Sequence, residues 1–331
     1  MFLLNESNAQ ESSPAKLYLE HYFDMYVPIQ KDMWAFSIAV ARDKEYDVIE
    51  NKRIELLKTL NHYQAIVNHS PNFENDSTYR LSVSNWMVIC QTLFQKKYIE
   101  ILKLKPKAKN SFESMKKYIQ LKEYSNLILQ KANEELDNSS QKFANQNSIQ
   151  IIEKETRIGG RIKKINNTFK YYDMIYLLFF EAYINEAKFN VAVNSQNVDS
   201  VKHEIERLTI VSKKSLTNLD QIVDFEKDPS LKLAATKILN SYIATASLYG
   251  EQVLTFFKLD SDFKKCKKEV IAKSPQERTQ EDIDKYNNLV LKRKEMIPIF
   301  NQNTQLFNHN RRKELDEWNT AAEEFIGNHA L

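Results

Sequence analysis

The chain of 331 residues is long enough for about two domains, and its 42% hydrophobic content can supply a core for each. Only 4 Gly and 7 Pro are present, which argues against a sheet-rich fold because such folds need many tight turns. The 47 basic and 44 acidic residues give a net charge of +3, a near balance that argues against nucleic acid as the partner. The 2 cysteines, Cys90 and Cys266, are too few for a disulfide framework.

The beginning of the chain predicts a disordered leader over residues 1–13, because most of these residues are polar. The apolar start, Met1-Phe-Leu-Leu, is shorter than the apolar core of ~7–15 residues that a signal peptide needs. No run approaches the ~18 apolar residues of a membrane span, so no transmembrane segment is predicted. Localisation stays open between the cell envelope and the cytoplasm, the latter if Met1 is the true start.

The first helix is predicted to begin at Ser13-Pro14, a capping serine followed by proline at the first helical position. Pro28 is expected to kink it, because proline cannot donate to the preceding turn. Apolar residues recur at steps of three and four, which is typical of the seam of a helix in a bundle: Leu19, Tyr22, Tyr26, Ile29, Met33, Phe36 and Val40. The spacing returns later with one polar member: Tyr172, Ile175, Phe179, Ala182, Glu186, Phe189 and Val193.

Three further helices follow the first one in each half. After a second amphipathic helix, Asp76 or Ser77 caps the third, and Asp228-Pro229 opens its counterpart in the same way. The fourth helix opens near Ser111 in the first half and after Ser274-Pro275 in the second.

The fourth helix of each half is predicted to be the longest, ending at Gly159-Gly160 and at Gly327. At about 40 residues it would span roughly 60 Å, so its excess length either overhangs or breaks near Asn145–Asn147 and Asn301–Asn303. Two adjacent glycines cost about 2 kcal/mol relative to alanine inside a helix. Gly159-Gly160 is therefore predicted to be a hinge or break between the halves.

Short segments of the two halves match in the same order, which indicates an internal duplication. The predicted fold class is all-α, with two tandem up-down-up-down four-helix bundles over residues 14–160 and 161–327. The matches are Phe36-Ser-Ile-Ala-Val40 with Phe189-Asn-Val-Ala-Val193, Phe73-Glu-Asn-Asp76 with Phe225-Glu-Lys-Asp228, and Tyr124-Ser-Asn-Leu-Ile-Leu129 with Tyr286-Asn-Asn-Leu-Val-Leu291.

The common catalytic and metal-binding motifs are missing from the sequence. A di-iron site in a helical bundle needs Glu-x-x-His on two helices, and no carboxylate stands three residues before any of the 6 histidines. The motifs of zinc proteases, nucleotide-binding loops and serine hydrolases are missing as well. The sequence therefore predicts no catalytic residue, no metal ligand and no cofactor.

Two features are candidate binding sites. Glu186 stands where the seam calls for an apolar residue, so it is either a carboxylate in a ligand pocket or a residue at the seam edge whose carboxylate reaches water. Lysines cluster near the junction of the third and fourth helices in both halves, where they either bind an anionic partner or form solvated helix ends. These lysines are Lys103, Lys105, Lys107, Lys109, Lys264, Lys265, Lys267 and Lys268.

The aromatic first helix, the two Phe-Glu-x-Asp turns and the Tyr-(Ser/Asn)-Asn-Leu stretches resemble a family of bacterial surface proteins, predicted lipoproteins with tandem four-helix bundles. The resemblance spans nearly the whole chain. It implies export to the cell envelope and no known enzymatic activity. The signal peptide and lipid-attachment cysteine of such a lipoprotein are not visible in the sequence.

Three hypotheses about function follow. The leading one is a non-enzymatic protein of the bacterial envelope with a binding or structural role, whose partner is a protein or an anionic envelope component. The alternative is a cytoplasmic helical adaptor that docks partner proteins. The third is an enzyme with a diffuse site between the bundles, lined by residues such as Glu186. The oligomeric state stays open in all three.

Overall fold

The computed structural model describes residues 13–151 and 156–330, and within these ranges the regular structure is entirely helical. The all-α prediction is therefore confirmed, while the predicted leader, apart from Ser13, lies outside the described residues. The helices are α1 (Pro14–Ala41), α2 (Tyr46–His69), α3 (Thr78–Thr92), α4 (Tyr98–Ala108), α5 (Phe112–Gln146), α6 (Arg157–Ser195), α7 (Val198–Asp220), α8 (Ser230–Ala244), α9 (Glu251–Ala272) and α10 (Gln280–Ala330). Two π-helical segments join neighbouring helices without a break, Leu93–Lys97 between α3 and α4 and Thr245–Gly250 between α8 and α9.

The chain divides into two compact units. Unit 1 comprises the described residues up to Asp173 together with those from Ile326 onward, and unit 2 comprises Met174–Phe325. The division lies inside α6, some way after the boundary predicted at residue 160. The predicted break at Gly159-Gly160 is wrong, because both glycines lie in the first turn of α6.

Two helix starts predicted from the sequence are capped by serine side chains, whereas one predicted helix end differs. The Ser13 hydroxyl accepts from the Lys16 amide at 3.2 Å, and the Ser111 hydroxyl accepts from the Ser114 amide at 3.1 Å. The predicted cap at Ser13 and the predicted helix start near Ser111 are therefore confirmed. The helix α5 ends at Gln146, inside the asparagine-rich stretch, whereas α10 continues through its own stretch at 301–303. The end predicted at Gly327 is wrong, because α10 continues to Ala330.

The core of unit 1 forms around the predicted seam of α1. Every seam residue is buried except Val40, which is partly buried against the same cluster. Tyr26 meets Trp86 of α3 edge to face at 5.1 Å, and Tyr22 meets Tyr79 of α3 at 5.5 Å between ring centroids. Such aromatic pairs contribute about 0.5–1.5 kcal/mol each beyond the area that they bury.

The core of unit 2 is also rich in aromatic side chains. Phe179 of α6 stacks on Trp318 of α10 at 4.4 Å, and Tyr249 stacks on Phe307 of α10 at the same distance. Phe189 of α6 is fully buried and meets the Tyr249 ring edge to face at 6.1 Å. The second aromatic helix of the sequence thus supplies a core, as its spacing predicts.

The turn that precedes the third helix has the same geometry in both units. The Asp76 amide donates to the Phe73 carbonyl at 2.7 Å, and the Asp228 amide donates to the Phe225 carbonyl at 2.8 Å. The two central residues of each turn have positive φ, 46° and 72° in the first and 49° and 68° in the second. The Asp76 carboxylate accepts from the Thr78 amide, and the Asp228 carboxylate accepts from the Ser230 amide, both at 2.8 Å.

The two units differ in length in the part of the chain that follows α3 and α8. The helices α3 and α8 both have 15 residues and start 152 positions apart. Phe73 packs on Phe143 of α5, and Phe225 packs on Phe325 of α10, so α5 and α10 correspond at a separation of 182 positions. Unit 2 therefore holds 30 additional residues between these two points.

The additional residues form a helical hairpin at the end of α9 and the start of α10. The helix α9 has 22 residues, whereas α4 has 11. At the separation of 182 positions, the start of α5 at Phe112 corresponds to position 294, and α10 begins 14 positions before it, at Gln280. Residues 262–293 are called the hairpin extension below. The sequence match of Tyr124 with Tyr286 is wrong as a structural equivalence, because Tyr286 packs on Phe263 inside the extension whereas Tyr124 is 54% exposed.

Candidate functional sites

Glu186 lies in the middle of α6 with its side chain 1% exposed. The Arg311 Nε of α10 donates to its Oε1 at 2.6 Å, and the Asn190 amide donates to the same atom at 2.5 Å. The other oxygen, Oε2, is buried and accepts no hydrogen bond from the described residues. A buried carboxylate needs such a cationic partner, because removal from water costs several kcal/mol per ion.

Tyr242 of α8 completes this charged cluster. Its hydroxyl is buried and forms no hydrogen bond with the described residues. Burial, followed by the nearby charge of Glu186, raises the pKa of Tyr242 well above its ordinary value. The hydrogen bond to Glu186 raises the pKa of Arg311, which keeps this guanidinium charged.

The structure excludes one of the two interpretations of Glu186 that the sequence left open. The interpretation in which the carboxylate reaches water is wrong, because the side chain is buried and paired. Sequence reasoning found Glu186 but missed Arg311, which is 125 positions away. The available signal was weak: Arg311 follows Phe307 by one helical turn and so lies on the face of α10 that supplies the core.

The same positions in unit 1 hold an apolar cluster. At the separations of the two units, Glu186 corresponds to Met33, Tyr242 to Cys90 and Arg311 to Leu129. Met33 and Cys90 are buried in the unit 1 core, and Leu129 packs against it. The buried charge is therefore a property of unit 2 alone among these matched positions.

The first lysine cluster lies at the end of α4, and part of it is engaged with nearby acidic groups. Lys105 forms an ion pair with Asp43. A hydrogen bond from Arg53 lowers the pKa of Glu50, and the charge of Lys103 adds to this effect. Lys107 and Lys109 complete the cluster at the helix end, where cations interact favourably with the helix dipole.

The second lysine cluster lies in the hairpin extension, so it occupies a place for which unit 1 has no counterpart. All four of its lysines are exposed. Lys264 pairs with Asp260 at 2.7 Å, and the described residues provide no ion pair to Lys265, Lys267 or Lys268. Both clusters precede the turn into the last helix of their unit, but the second lies farther along its helix, within the additional residues of unit 2.

Contacts between its two helices hold the hairpin extension together. Phe263 stacks on Tyr286 at 5.8 Å, and the Arg293 guanidinium lies 5.1 Å from the Phe263 ring. The Lys273 ammonium donates to the Asp282 carboxylate at 2.6 and 2.8 Å. This hydrogen bond is the largest of several causes that lower the pKa of Asp282 to about 2. Among residues 262–293, Cys266 alone is buried, so most of the surface of the extension faces solvent.

A shallow groove of about 670 Å³ runs along the outer face of α10. Its lining changes sign along the helix, with basic residues first and acidic residues later. The lining residues are His309, Arg312, Lys313, Asp316, Glu317, Thr320, Ala321 and Glu324. Sequence reasoning missed this groove, because a helix face with charges of both signs is typical of any solvated helix.

Two further classes of site, a metal-binding cluster and a membrane-spanning helix, are missing from the described ranges. No group of three or more His, Cys, Asp and Glu side chains in residues 13–151 and 156–330 is placed to hold a metal ion. Within the same ranges no helix combines the length and the apolar character that a membrane span requires.

Comparison of the chain with protein-family models, with curated proteins and with solved structures finds no match.

Proposed function

We propose that the chain is a non-enzymatic helical protein of the bacterial cell envelope that binds an anionic phospholipid surface through the hairpin extension. One observation carries this proposal: four lysines crowd into five positions on an exposed helical hairpin, and three of them have no acidic partner among the described residues. The resemblance to bacterial surface proteins supports the envelope as the place of action.

The proposal includes an origin by internal duplication, with two tandem four-helix bundles. In the first bundle the helices would be α1, α2, α3 with α4, and α5, and in the second α6, α7, α8 with α9, and α10. The matching turns before α3 and α8, their equal lengths and the π-helical segment after each support it. Because π-helical segments are rare, their recurrence 152 positions apart is the strongest of these arguments.

Charge balance identifies the extension as the basic part of unit 2. Residues 262–293 contain nine basic and six acidic side chains, so their excess of three equals the net charge of the entire chain. Ile271, one turn after Lys267 and Lys268, is 63% exposed and can insert among lipid headgroups. Each lysine near an anionic leaflet contributes about 1 kcal/mol, and salt weakens this attraction.

The test measures binding of the full chain to vesicles of phosphatidylglycerol and to vesicles of phosphatidylcholine. We expect binding to the anionic vesicles alone and a loss at high salt. The variant K264Q/K265Q/K267Q/K268Q should weaken this binding by roughly 10²-fold or more, since about 1 kcal/mol is lost per lysine.

A matched control removes the same number of lysines from unit 1. The variant K103Q/K105Q/K107Q/K109Q should bind almost as the native chain does, because Lys105 is already paired with Asp43 and the charge of Lys103 acts on the Glu50 carboxylate, so this helix end offers fewer free charges. Equal loss in both variants would show non-specific attraction, and unchanged binding in the first variant would overturn the proposal. Capture by an anionic polysaccharide in place of the vesicles would redirect the proposal to that ligand.

The alternative function is a cytoplasmic adaptor that docks partner helices. Exposed apolar residues along α10 favour it, since Leu291, Ile299 and Leu306 are 60%, 55% and 56% exposed. Fractionation of the native host, with mass spectrometry of the mature N-terminus, separates the two functions. A processed or lipidated form in the envelope fraction supports the first proposal, and an unprocessed form in the cytosol supports the adaptor.

A further inference from the structure

The groove on α10 has a charge pattern that is complementary to itself. Its basic residues, His309, Arg312 and Lys313, precede its acidic residues, Asp316, Glu317 and Glu324. The stretch from the first to the last of these residues spans about 22 Å at 1.5 Å per residue. Two such stretches placed side by side in opposite directions bring each basic half against an acidic half.

We propose that the α10 groove is a docking surface for a second copy of this chain, which packs its own α10 antiparallel across a two-fold axis between Lys313 and Asp316. In this arrangement Arg312 and Lys313 of each copy face Asp316 and Glu317 of the other. The interface is isologous, so every ion pair occurs twice. A parallel arrangement would place like charges together, which is unfavourable by several kcal/mol for close pairs.

The surroundings of the groove fit a helix as its occupant. Thr320 and Ala321 are small, so they permit close approach of a second helix over the later part of the groove. Leu306 lies one turn before His309 and is 56% exposed, which adds an apolar contact at the edge of the interface. Antiparallel packing also orients the two helix dipoles in opposite directions, which is favourable.

The charged groups in the groove remain accessible to a partner. Among the residues that the structure describes, Arg312 donates only to the Asn308 carbonyl of its own helix, at 3.2 Å. One carboxylate oxygen of Glu317 accepts a hydrogen bond from the Lys237 ammonium of α8 at 2.6 Å. The other carboxylate oxygen is left for the partner helix. No ion pair to Asp316 is recorded among the described residues.

The test is sedimentation velocity of the full chain over a range of concentrations, at low and at high salt. We expect a dimer at low salt that dissociates as salt rises, because exposed ion pairs are screened. The variants R312E/K313E and D316K/E317K should each weaken the dimer roughly tenfold or more, because like charges then face each other.

Mixing the two variants is the decisive arm of the experiment. One variant has only acidic residues at these four positions and the other only basic residues, so the mixture should form a heterodimer at least as strong as the native dimer. The control K116E/K117E makes the same charge change on the exposed face of α5 and should leave the dimer intact. A native chain that stays monomeric at every concentration, or a mixture that fails to associate, would overturn the proposal.

Discussion

Units 1 and 2 share one turn geometry followed by a helix of 15 residues, yet they place charge differently in their interiors. Unit 2 buries Glu186 against Arg311 in the seam of α6, where unit 1 has Met33 and Leu129. Unit 1 keeps its own buried ion pair, Lys122 of α5 with Asp173 of α6 at 2.6 Å, outside the seam of α1. The comparison shows that the buried seam of a helix can be entirely apolar, as in α1, or can hold a charge that is paired, as in α6.

The largest expected effect comes from breaking the unit 2 pair on one side. Arg311→Leu leaves the Glu186 carboxylate buried without a cation, and we expect a loss of about 3–5 kcal/mol in the free energy of unfolding of unit 2. Because the two units need not unfold together, hydrogen exchange of amides in α6 and α8 is the appropriate measurement.

The double variant Glu186→Met/Arg311→Leu sharpens the same comparison. It places the residues of unit 1 in unit 2 and removes both charges together, so most of the lost stability should return. If the double variant is as unstable as the single one, the buried pair is not the cause of the loss.

The next effect concerns the end of the π-helical segment in unit 2. A Cβ atom at Gly250 would lie 2.7 Å from two atoms of the buried Ile205 side chain, so Gly250→Ala should cost about 1–3 kcal/mol through overpacking. Gly327→Ala in unit 1 is the matched control, because no atom lies within 4 Å of its added Cβ. That change should stabilise unit 1 by about 0.5–1 kcal/mol through helix propensity, and thermal unfolding of both variants checks the difference in sign.

A smaller effect is expected at two buried tyrosines, one in each unit. The hydroxyls of Tyr26 and Tyr242 accept and donate no hydrogen bond among the described residues. Tyr26→Phe and Tyr242→Phe should each be neutral or stabilising by about 1 kcal/mol, because the unpaired hydroxyl is costly to bury. Chemical denaturation measures both changes, and a clear destabilisation by either variant would show that a water molecule satisfies that hydroxyl.

The smallest expected effect is a difference in how the stabilisation by the two ion pairs depends on pH. Burial has the largest single effect on the pKa of Lys122 and lowers it, but Asp173 together with Tyr118 and Glu123 outweighs burial, so the pKa lies above its ordinary value of 10.5. Burial raises the pKa of Asp173, and Lys122 opposes this only in part. The stabilisation by charged Lys122 is therefore complete below the unfolded pKa and is lost as the pH rises through the folded pKa.

Arginine stays charged over the same range, so alkaline conditions should weaken the pair of unit 1 before that of unit 2. Urea unfolding between about pH 9 and about pH 11, on either side of the ordinary lysine pKa of ~10.4, measures the change. Lys122→Arg should remove this part of the pH dependence, and an unaltered dependence in that variant would assign it to other groups, such as the tyrosines.

The sequence predicted the parts of the fold that depend on local periodicity. The α1 seam, the caps at Ser13 and Ser111 and the turn residues Asp76 and Asp228 were readable because each depends on neighbours within one or two helical turns. The helix length left two alternatives open, an overhang or a break near Asn145–Asn147, and α5 ends within that stretch.

The missed features depend on contacts between distant residues. Arg311 was not found because its partner is on another helix, and the hairpin extension was hidden by a chance likeness of Tyr286-Asn-Asn-Leu to the Tyr124 segment. Gly159-Gly160 looked like a break from propensity alone, yet a helix tolerates glycine where tertiary contacts hold it. The Thr156 hydroxyl accepts from the Gly159 amide at 3.0 Å and donates to the Gln30 side chain at 3.1 Å, which fixes this helix start.

The most direct test of the proposed function is hydrogen exchange of the full chain with and without phosphatidylglycerol vesicles. We predict that the vesicles protect amides near Lys264–Lys268 at the end of α9 and leave those near Lys103–Lys109 at the end of α4 unchanged. Equal protection at both lysine clusters, or none at the hairpin extension, would contradict the proposal that the hairpin extension is the binding surface.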